Sequence, residues 1–358
     1  GIFRAATFDF VSPAIPMQPL LDALLTGRHL TSDQADSLLG WILAGEVDPA
    51  VMGATLALLH ARGPNVDELV GGARAMRRHV TPVPLSPAER EELIDTCGTG
   101  GAPKLFNVST AAALVAAGAG ARVVKHGNRS RTGRGSAEIL QTLGVNVDAS
   151  PEVQARCVRE AGLCFCFAIH HHPAIKHAMP VRRALGFPTI FNLLGPLTNP
   201  GGAARQLLGV AQATHVELVA GALLGLGCSR AIVAHTPAAG PTSGYDELVT
   251  TGPVLLAHVK DGTIVSEKLD PASLGLARPD PASLQADTLD AAANLMRAVL
   301  AGQAGPTLDV VVLNAAAALL VAGRVDSWQA GLAMARESVG SGAARRTLDV
   351  LVRVSNTG

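Results

Sequence analysis

Aromatic side chains are scarce in this sequence: eight Phe, two Trp and one Tyr among 358 residues, against 38 glycines. The core must then be packed from Ala, Gly and Leu with many tight turns, which suits an α/β protein. An excess of charge of either sign is also missing. Lys and Arg number 29, as do Asp and Glu, for a formal net charge of +0. No overall basic field is available to hold nucleic acid or an anionic membrane, so neither is expected as a partner. Any anionic substrate has to be gripped by local groups. No run of eighteen apolar residues occurs, which excludes a membrane-spanning helix. The apolar run from Val310 to Ala322 is too short, carries Asn314, and reads as a buried helix. The N-terminus lacks a basic segment followed by an apolar stretch, so no secretory signal is read and a cytoplasmic location is expected. Gly1 in place of Met points to a trimmed or tagged start, with Met17 as a candidate true start and residues 1–16 as a poorly patterned lead-in. The five cysteines (97, 157, 164, 166 and 228) are odd in number and match no zinc spacing. Buried free thiols in a reducing compartment are the expectation.

The segment up to residue 84 reads as a small helical lobe. Met17 to Thr26 is apolar at helical spacing and Gly27 ends it. Leu30-Thr31-Ser32-Asp33 offers an N-cap for a helix carrying Ala35, Leu38, Leu39 and Ile42 on one side. Asp48-Pro49 is a cap followed by proline at the first helical position, and Asn65 with Glu68 has the spacing of a capping box. From residue 85 to 358 the period changes. Strand-like runs at Arg122–Lys125, Cys164–Ala168, Leu207–Ala211, Ala231–His235 and Val254–Val259 alternate with helical stretches such as Thr110–Ala119 and Val216–Leu226. That order predicts a large domain with a mainly parallel central sheet flanked by helices. Pro180 to Pro200 interrupts it, and residues from about 173 to 200 are expected to join the helical lobe.

Three motifs carry chemistry. Cys97-Gly98-Thr99-Gly100-Gly101 can aim several backbone N–H groups at one point, as proteins do to cradle phosphate. Phe106-Asn107-Val108-Ser109-Thr110 then opens an alanine-rich helix, whose first turn favours an anion. Two such devices within thirteen residues point to a ligand with two phosphates. Lys125-His126-Gly127-Asn128-Arg129-Ser130 follows a strand, where parallel sheets place their ligands. The adjacent carboxylates Asp246 and Glu247 suit Mg²⁺, which takes oxygen ligands and shares them with substrate phosphates. His170, His171 and His172 cannot all face one ion from a strand, so they read as a pocket edge and not as a zinc site. His235, ending an apolar strand, reads as a core histidine.

Taken in order, the pieces GTGG at 98–101, FNVST at 106–110, KHGNR at 125–129, GSAEIL at 135–140, HPAIKHAMPVRRALG at 172–186, TIFNLLGPLTNP at 189–200 and GYDEL at 244–248 resemble the anthranilate phosphoribosyltransferases, enzymes of tryptophan biosynthesis with the nucleoside-phosphorylase type II fold. The resemblance runs from about Leu20 to about Val352. It implies that phosphoribosyl diphosphate and anthranilate are the substrates and Mg²⁺ the cofactor. It implies a phosphoribosyl diphosphate site made of Gly98, Thr99, Gly100, Gly101, Asn107, Ser109, Thr110, Lys125 and Ser136. It implies an anthranilate site made of Gly98, His126, Asn128, His172, Arg182 and Gly195, with Arg182 on the carboxylate, and metal ligation by Ser109, Asp246 and Glu247. It also implies a homodimer through the helical lobe, whose short helices carry more apolar positions than one lobe can bury.

The chain departs from the pattern in two loops. Ala102 stands where relatives carry Asp, and Ser130-Arg131-Thr132-Gly133-Arg134 replaces a stretch that normally carries serines and a lysine. Both changes make the loops more positive, so a lower demand for magnesium is expected. A pyrimidine nucleoside phosphorylase-like enzyme of the same fold is disfavoured by the HGNR and VRR motifs. A non-catalytic nucleic-acid-binding relative is disfavoured by the neutral charge and the retained Asp246-Glu247 pair.

Overall fold

The computed structural model describes residues 17–103, 105–130, 133–238 and 244–357. The lead-in at 1–16, and Arg131 and Thr132 of the altered loop, lie outside these residues. Four helices open the described chain: Met17–Leu25, Ser32–Ala44, Pro49–Arg62 and Val66–Arg78. Their starts follow from local chemistry. Thr31 and Gln34 close a capping box, Asp48 accepts the Ala50 amide ahead of Pro49 at the first position, and Asn65 and Glu68 close a second box. Glu68 is fully buried and does more than cap. It also accepts the Leu30 amide at 2.9 Å and pairs with Arg62 and His29, so one carboxylate ties three helix ends together. Such a hub is stable because every lone pair has a partner.

The lobe's apolar stripes, Leu20, Leu38, Ile42, Leu56, Leu59 and Leu69, do not close on themselves. Ala178, Ile190, Phe191, Leu194 and Leu197 complete their core. The same core continues through Val216, Val219 and Leu223 of the helix His215–Gly225 onto one face of the sheet.

The sheet has seven strands: Leu93–Gly98 (β1), Arg122–Gly127 (β2), Leu163–Phe167 (β3), Arg205–Gly209 (β4), Arg230–His235 (β5), Val254–Lys260 (β6) and Thr263–Leu269 (β7). Their spatial order is β3-β2-β1-β4-β5-β6-β7. The first five are mutually parallel, and β6 and β7 add an antiparallel hairpin. Alternation sorts side chains between the two cores. Leu208 and Val233 face the lobe, while Leu207 and Ile232 face the core that holds the helices Val108–Gly118 and Pro306–Ala322. The helix expected over Val310–Ala322 is therefore present and buried, with one further, partly exposed turn ahead of it. Two strands correct the sequence reading. β1 was hidden by Asp95 and Thr96 in its middle, and β7 is an edge strand most of whose residues face solvent. The chain lays β1, β2 and β3 outward on one side, then returns to place β4 on the other side of β1. That reversal opens a crevice at the carboxyl ends of β1 and β4, the usual ligand position in such sheets.

Candidate active site

A cavity of about 220 Å³ occupies that crevice. Gly98, Gly100, Gly101, Asn107, Ser109, Thr110, Lys125, His126, Asn128, Ser136, Asp246 and Glu247 all border it, so most of the residues singled out from sequence converge. Gly100 and Gly101 turn the chain at φ of 72° and 82°, the left-handed region where a side chain is strained. Gly98 and Gly209, at the ends of β1 and β4, are bare for another reason. A Cβ on either would land on Asp246, on its carboxylate in one case and on its backbone carbonyl in the other. The absent side chains let the acidic loop sit directly on the strand ends. Asp246 Oδ2 accepts the Gly100 amide at 2.9 Å. Thr99 points elsewhere: its amide donates to Gly209 O at 3.0 Å, and its hydroxyl accepts the Ala211 amide at 3.3 Å. It anchors the glycine loop to β4 and does not border the cavity.

The second anion device is the start of the helix Val108–Gly118. Asn107 occupies the cap position without capping; its side chain donates to Arg134 O at 3.0 Å. The Ser109 amide is taken instead by Glu247 Oε1 at 3.2 Å. Thr110 Oγ1 is buried at the cavity wall with no hydrogen-bond partner among the described residues. A buried hydroxyl left so is costly unless a ligand completes it. Arg134 and Ala102, from the two altered loops, also border the cavity.

The open side of the crevice is made by β1 and β2 parting. They pair only at Leu93↔Arg122 and Ile94↔Val123. Beyond that, side chains take up backbone groups that a ladder would have used. Lys125 Nζ donates to Thr96 O at 2.7 Å and to Ser109 Oγ at 3.2 Å. Asp95 Oδ1 accepts the His126 amide at 3.2 Å, and Asn199 Nδ2 donates to Val124 O at 2.7 Å. Burial pushes the Lys125 ammonium below its usual value, opposed by the charges of Asp95, Cys97 and Glu247. Burial likewise pushes the Asp95 carboxyl up to about 6, with Asn199, Lys125 and the His126 amide opposing. Its Oδ2 has no well-formed hydrogen bond among the described residues. Sequence reasoning missed Asp95 and Asn199. The available signal was a carboxylate inside an otherwise apolar strand, which needs a partner to be there.

Two of the histidines meet beside the cavity and the others bond elsewhere. His126 Nε2 lies 3.1 Å from His172 Nε2, so one donates and the other accepts. Burial holds His126 well below the usual histidine range and brings His172 down to about 4, with neighbouring histidines adding to both shifts. Both are neutral at physiological pH. His171 bonds Thr81 O at 2.6 Å, and His170 meets Asp148 at 2.6 Å. His235 is buried and bonds Val210 O at 2.9 Å, as a core histidine does. Among the described residues, no three His, Cys, Asp or Glu side chains come together as a metal cluster. The cysteines are unpaired; Cys157, Cys164 and Cys166 are buried, while Cys97 and Cys228 are only half-buried.

Besides Thr99, three expected residues do not border the cavity: His172, which touches it only through His126, and Gly195 and Arg182. Gly195 opens a short 3₁₀ turn beside open space. Arg182 lies on the helix Met179–Leu185, on the segment that leaves from His172. Its guanidinium is 5.3 Å above the Phe191 ring and 3.4 Å from Asn192 Oδ1. Burial lowers its pKa, and among the described residues no carboxylate pairs with it. The cation is partly desolvated and has no counter-ion among the described residues.

Comparison with known proteins agrees with the fold. A family model described as "Glycosyl transferase family, a/b domain" matches residues 90–345, and one described as "Glycosyl transferase family, helical bundle domain" matches residues 18–80. The chain is 46% identical over 332 residues to the anthranilate phosphoribosyltransferase of Rubrobacter xylanophilus, covering 92% of this chain and 94% of that one. It is 45% identical over 343 residues to the enzyme of the same name from Caulobacter vibrioides, covering 95% and 97%. Among solved structures, anthranilate phosphoribosyltransferase from Thermus thermophilus superposes with a TM-score of 0.86 at 39% identity, over 94% of this chain and 99% of that one. The Saccharomyces cerevisiae enzyme, in complex with PRPP and Mg, shares the fold with a TM-score of 0.84 at 23% identity, over 96% and 98%.

Proposed function

The chain belongs to the anthranilate phosphoribosyltransferases of the glycosyl transferase family, and from that membership we propose how it works. It moves the phosphoribosyl group of phosphoribosyl diphosphate onto the amine of anthranilate and releases diphosphate, a step of tryptophan biosynthesis. The observation that carries this reading is the meeting of two anion-binding devices and an acidic pair in one cavity.

In the reaction the bond from ribose C1 to the diphosphate oxygen breaks, a bond from C1 to the anthranilate nitrogen forms, and the amine gives up one proton. The glycine turn at Gly98–Gly101, with Thr99 as its anchor, and the helix start at Asn107, Ser109 and Thr110 hold the phosphates. Thr110 Oγ1, unpartnered at the wall, is a ready donor. Lys125 and Ser136 complete the phosphoribosyl side. The carboxylates of Asp246 and Glu247 and the hydroxyl of Ser109 are hard oxygen donors on one wall, which suits Mg²⁺ with substrate oxygens and water in its remaining positions. Bound there, the ion neutralises charge on the departing diphosphate. Neutral His126 and His172, with Asn128, Gly98 and Gly195, shape the anthranilate side. Arg182 pairs with the anthranilate carboxylate, which would supply the counter-ion it lacks. The amine of anthranilate is weakly basic, so positioning matters more than a strong base.

The division at residue 84, with 173–200 returning to the helical lobe, gives the enzyme two parts that can bracket its two substrates. A homodimer forms through the helical lobe, where Leu25 is 67% exposed and Met17, Trp41 and Leu58 are only partly covered. The chain works in the cytoplasm, where its thiols stay reduced. Light scattering is expected to give twice the 36.6 kDa chain mass at micromolar concentration; a monomer there counts against the lobe interface.

The function is tested by consumption of anthranilate in the presence of phosphoribosyl diphosphate and Mg²⁺. The double variant Asp246→Asn, Glu247→Gln should lose turnover while keeping its fold. Arg182→Ala should raise KM for anthranilate by roughly tenfold to a hundredfold, the scale of one charge-assisted contact, and leave that for phosphoribosyl diphosphate nearly unchanged. Full activity in the double variant moves the metal elsewhere, and equal losses for both substrates in Arg182→Ala remove its assigned role.

A further inference from the structure

Asp246 and Glu247 hold the very donors that a diphosphate needs. The first accepts the amide of Gly100 in the glycine turn at 2.9 Å, and the second accepts the amide of Ser109 in the first turn of the helix at 3.2 Å. Two anion-binding devices on separate elements are thus each engaged by one member of a single acidic pair. Gly98 and Gly209 make this seating possible, since a Cβ on either would collide with Asp246. A backbone amide has one hydrogen to donate, so it cannot fully serve a phosphate oxygen while a carboxylate holds it. A carboxylate in that place also repels the phosphate.

We propose that Asp246 and Glu247 are specificity-determining residues that close the phosphate donors to anions arriving without a metal and open them to metal-complexed diphosphate. The inference rests on reading the cavity as the diphosphate site, and adds to metal ligation a second role exercised when the metal is away. A divalent cation gives each carboxylate a stronger partner than an amide, so arrival of the ion frees the amides for phosphate oxygens. An anion without the ion must displace both carboxylates unaided. Metal and diphosphate then strengthen each other's binding reciprocally. Inorganic phosphate and uncomplexed polyphosphates are turned away by the same pair.

The test needs no turnover, so its failure is distinguishable from failure of the assigned reaction. Binding of inorganic diphosphate is measured by calorimetry, in EDTA and in saturating Mg²⁺, for the wild-type chain, Asp246→Asn, Glu247→Gln and the double variant. In EDTA the double variant should bind diphosphate roughly tenfold or more tightly than wild type, with the single variants between, because a like charge beside the anion has gone. The gain that Mg²⁺ gives the wild type should disappear. Unchanged or weaker metal-free binding in folded variants overturns the proposal. Should the double variant fail to fold, the single variants and the wild-type amide resonances of Gly100 and Ser109 decide. Diphosphate with Mg²⁺ should move both resonances, and the same concentration of metal-free diphosphate should leave both in place. Movement of both without metal overturns the proposal.

Discussion

Strand β1 has two edges, and they are built differently. Toward β4 it pairs at five successive positions, from Ile94↔Arg205 to Gly98↔Gly209. Toward β2 it pairs at two and then parts company. On the closed edge the backbones satisfy each other to the last residue, and what sits above them must be bare backbone, hence Gly98 and Gly209. On the open edge Asp95, Lys125 and Asn199 take up backbone groups by side chain. A parallel sheet can thus make room for a ligand without abandoning its hydrogen bonds, by moving some of them from the ladder to polar side chains. The consequence is a pair of buried ionisable groups, Asp95 and Lys125, beside the cavity.

The largest effect is expected from breaking the closed edge. Gly209→Ala places a methyl on the Asp246 carbonyl and pushes the acidic loop off the strand ends. Misplacing catalytic groups by about 1 Å can cost on the order of a hundredfold in rate, and kcat should fall by at least that much. Normal kinetics in this variant would mean that the close seating is dispensable. Breaking the open edge should act on stability as well. Lys125→Met leaves Thr96 O buried without its donor, at a cost of roughly 1–3 kcal/mol, read as a lower midpoint in urea. An unchanged midpoint would show that β1 and β2 can close the gap themselves.

The smallest effect has the opposite sign. Burial raises the Asp95 carboxyl from 3.8 to about 6. Between those values the folded chain holds a proton that the unfolded chain has lost. Stability from this group is therefore lost as pH rises through the window, and the full deficit persists above it. Asp95→Asn keeps an oxygen for the His126 amide and removes the charge. It should leave stability nearly unchanged near pH 4 and raise it at pH 7.5. The shift, in which the attraction to Lys125 is already counted, corresponds to a gain of up to about 3 kcal/mol. Thermal melts at the two pH values check this, and destabilisation at pH 7.5 would mean that the Asp95 charge is needed.

The same contrast separates what was legible in the sequence from what was not. The closed edge announces itself: glycines, an acidic pair and a helix start are local signals, and they meet where the strand order reverses. Strands β2 to β6 follow from their apolar runs. β1 does not, because the polar Asp95 and Thr96 that open the crevice also erase its strand pattern. Asp95 takes its partner from 31 residues away and Asn199 from 75. No window of sequence shows that these side chains replace ladder bonds. Arg182 stands off the cavity beside Phe191 and Asn192. Its desolvation is a three-dimensional fact that spacing could not supply.

The helical lobe's core draws on Leu20 to Met76 and again on Ala178 to Leu197, with β1, β2 and β3 strung between. A chain emerging from the ribosome therefore presents its first four helices with one side uncovered, and they stay so until about another hundred residues have been made. Domains usually mature in the order of their synthesis. Here the first segment made cannot be the first part finished, and Leu56, Leu59 and Leu69 wait in the nascent chain for partners encoded far downstream.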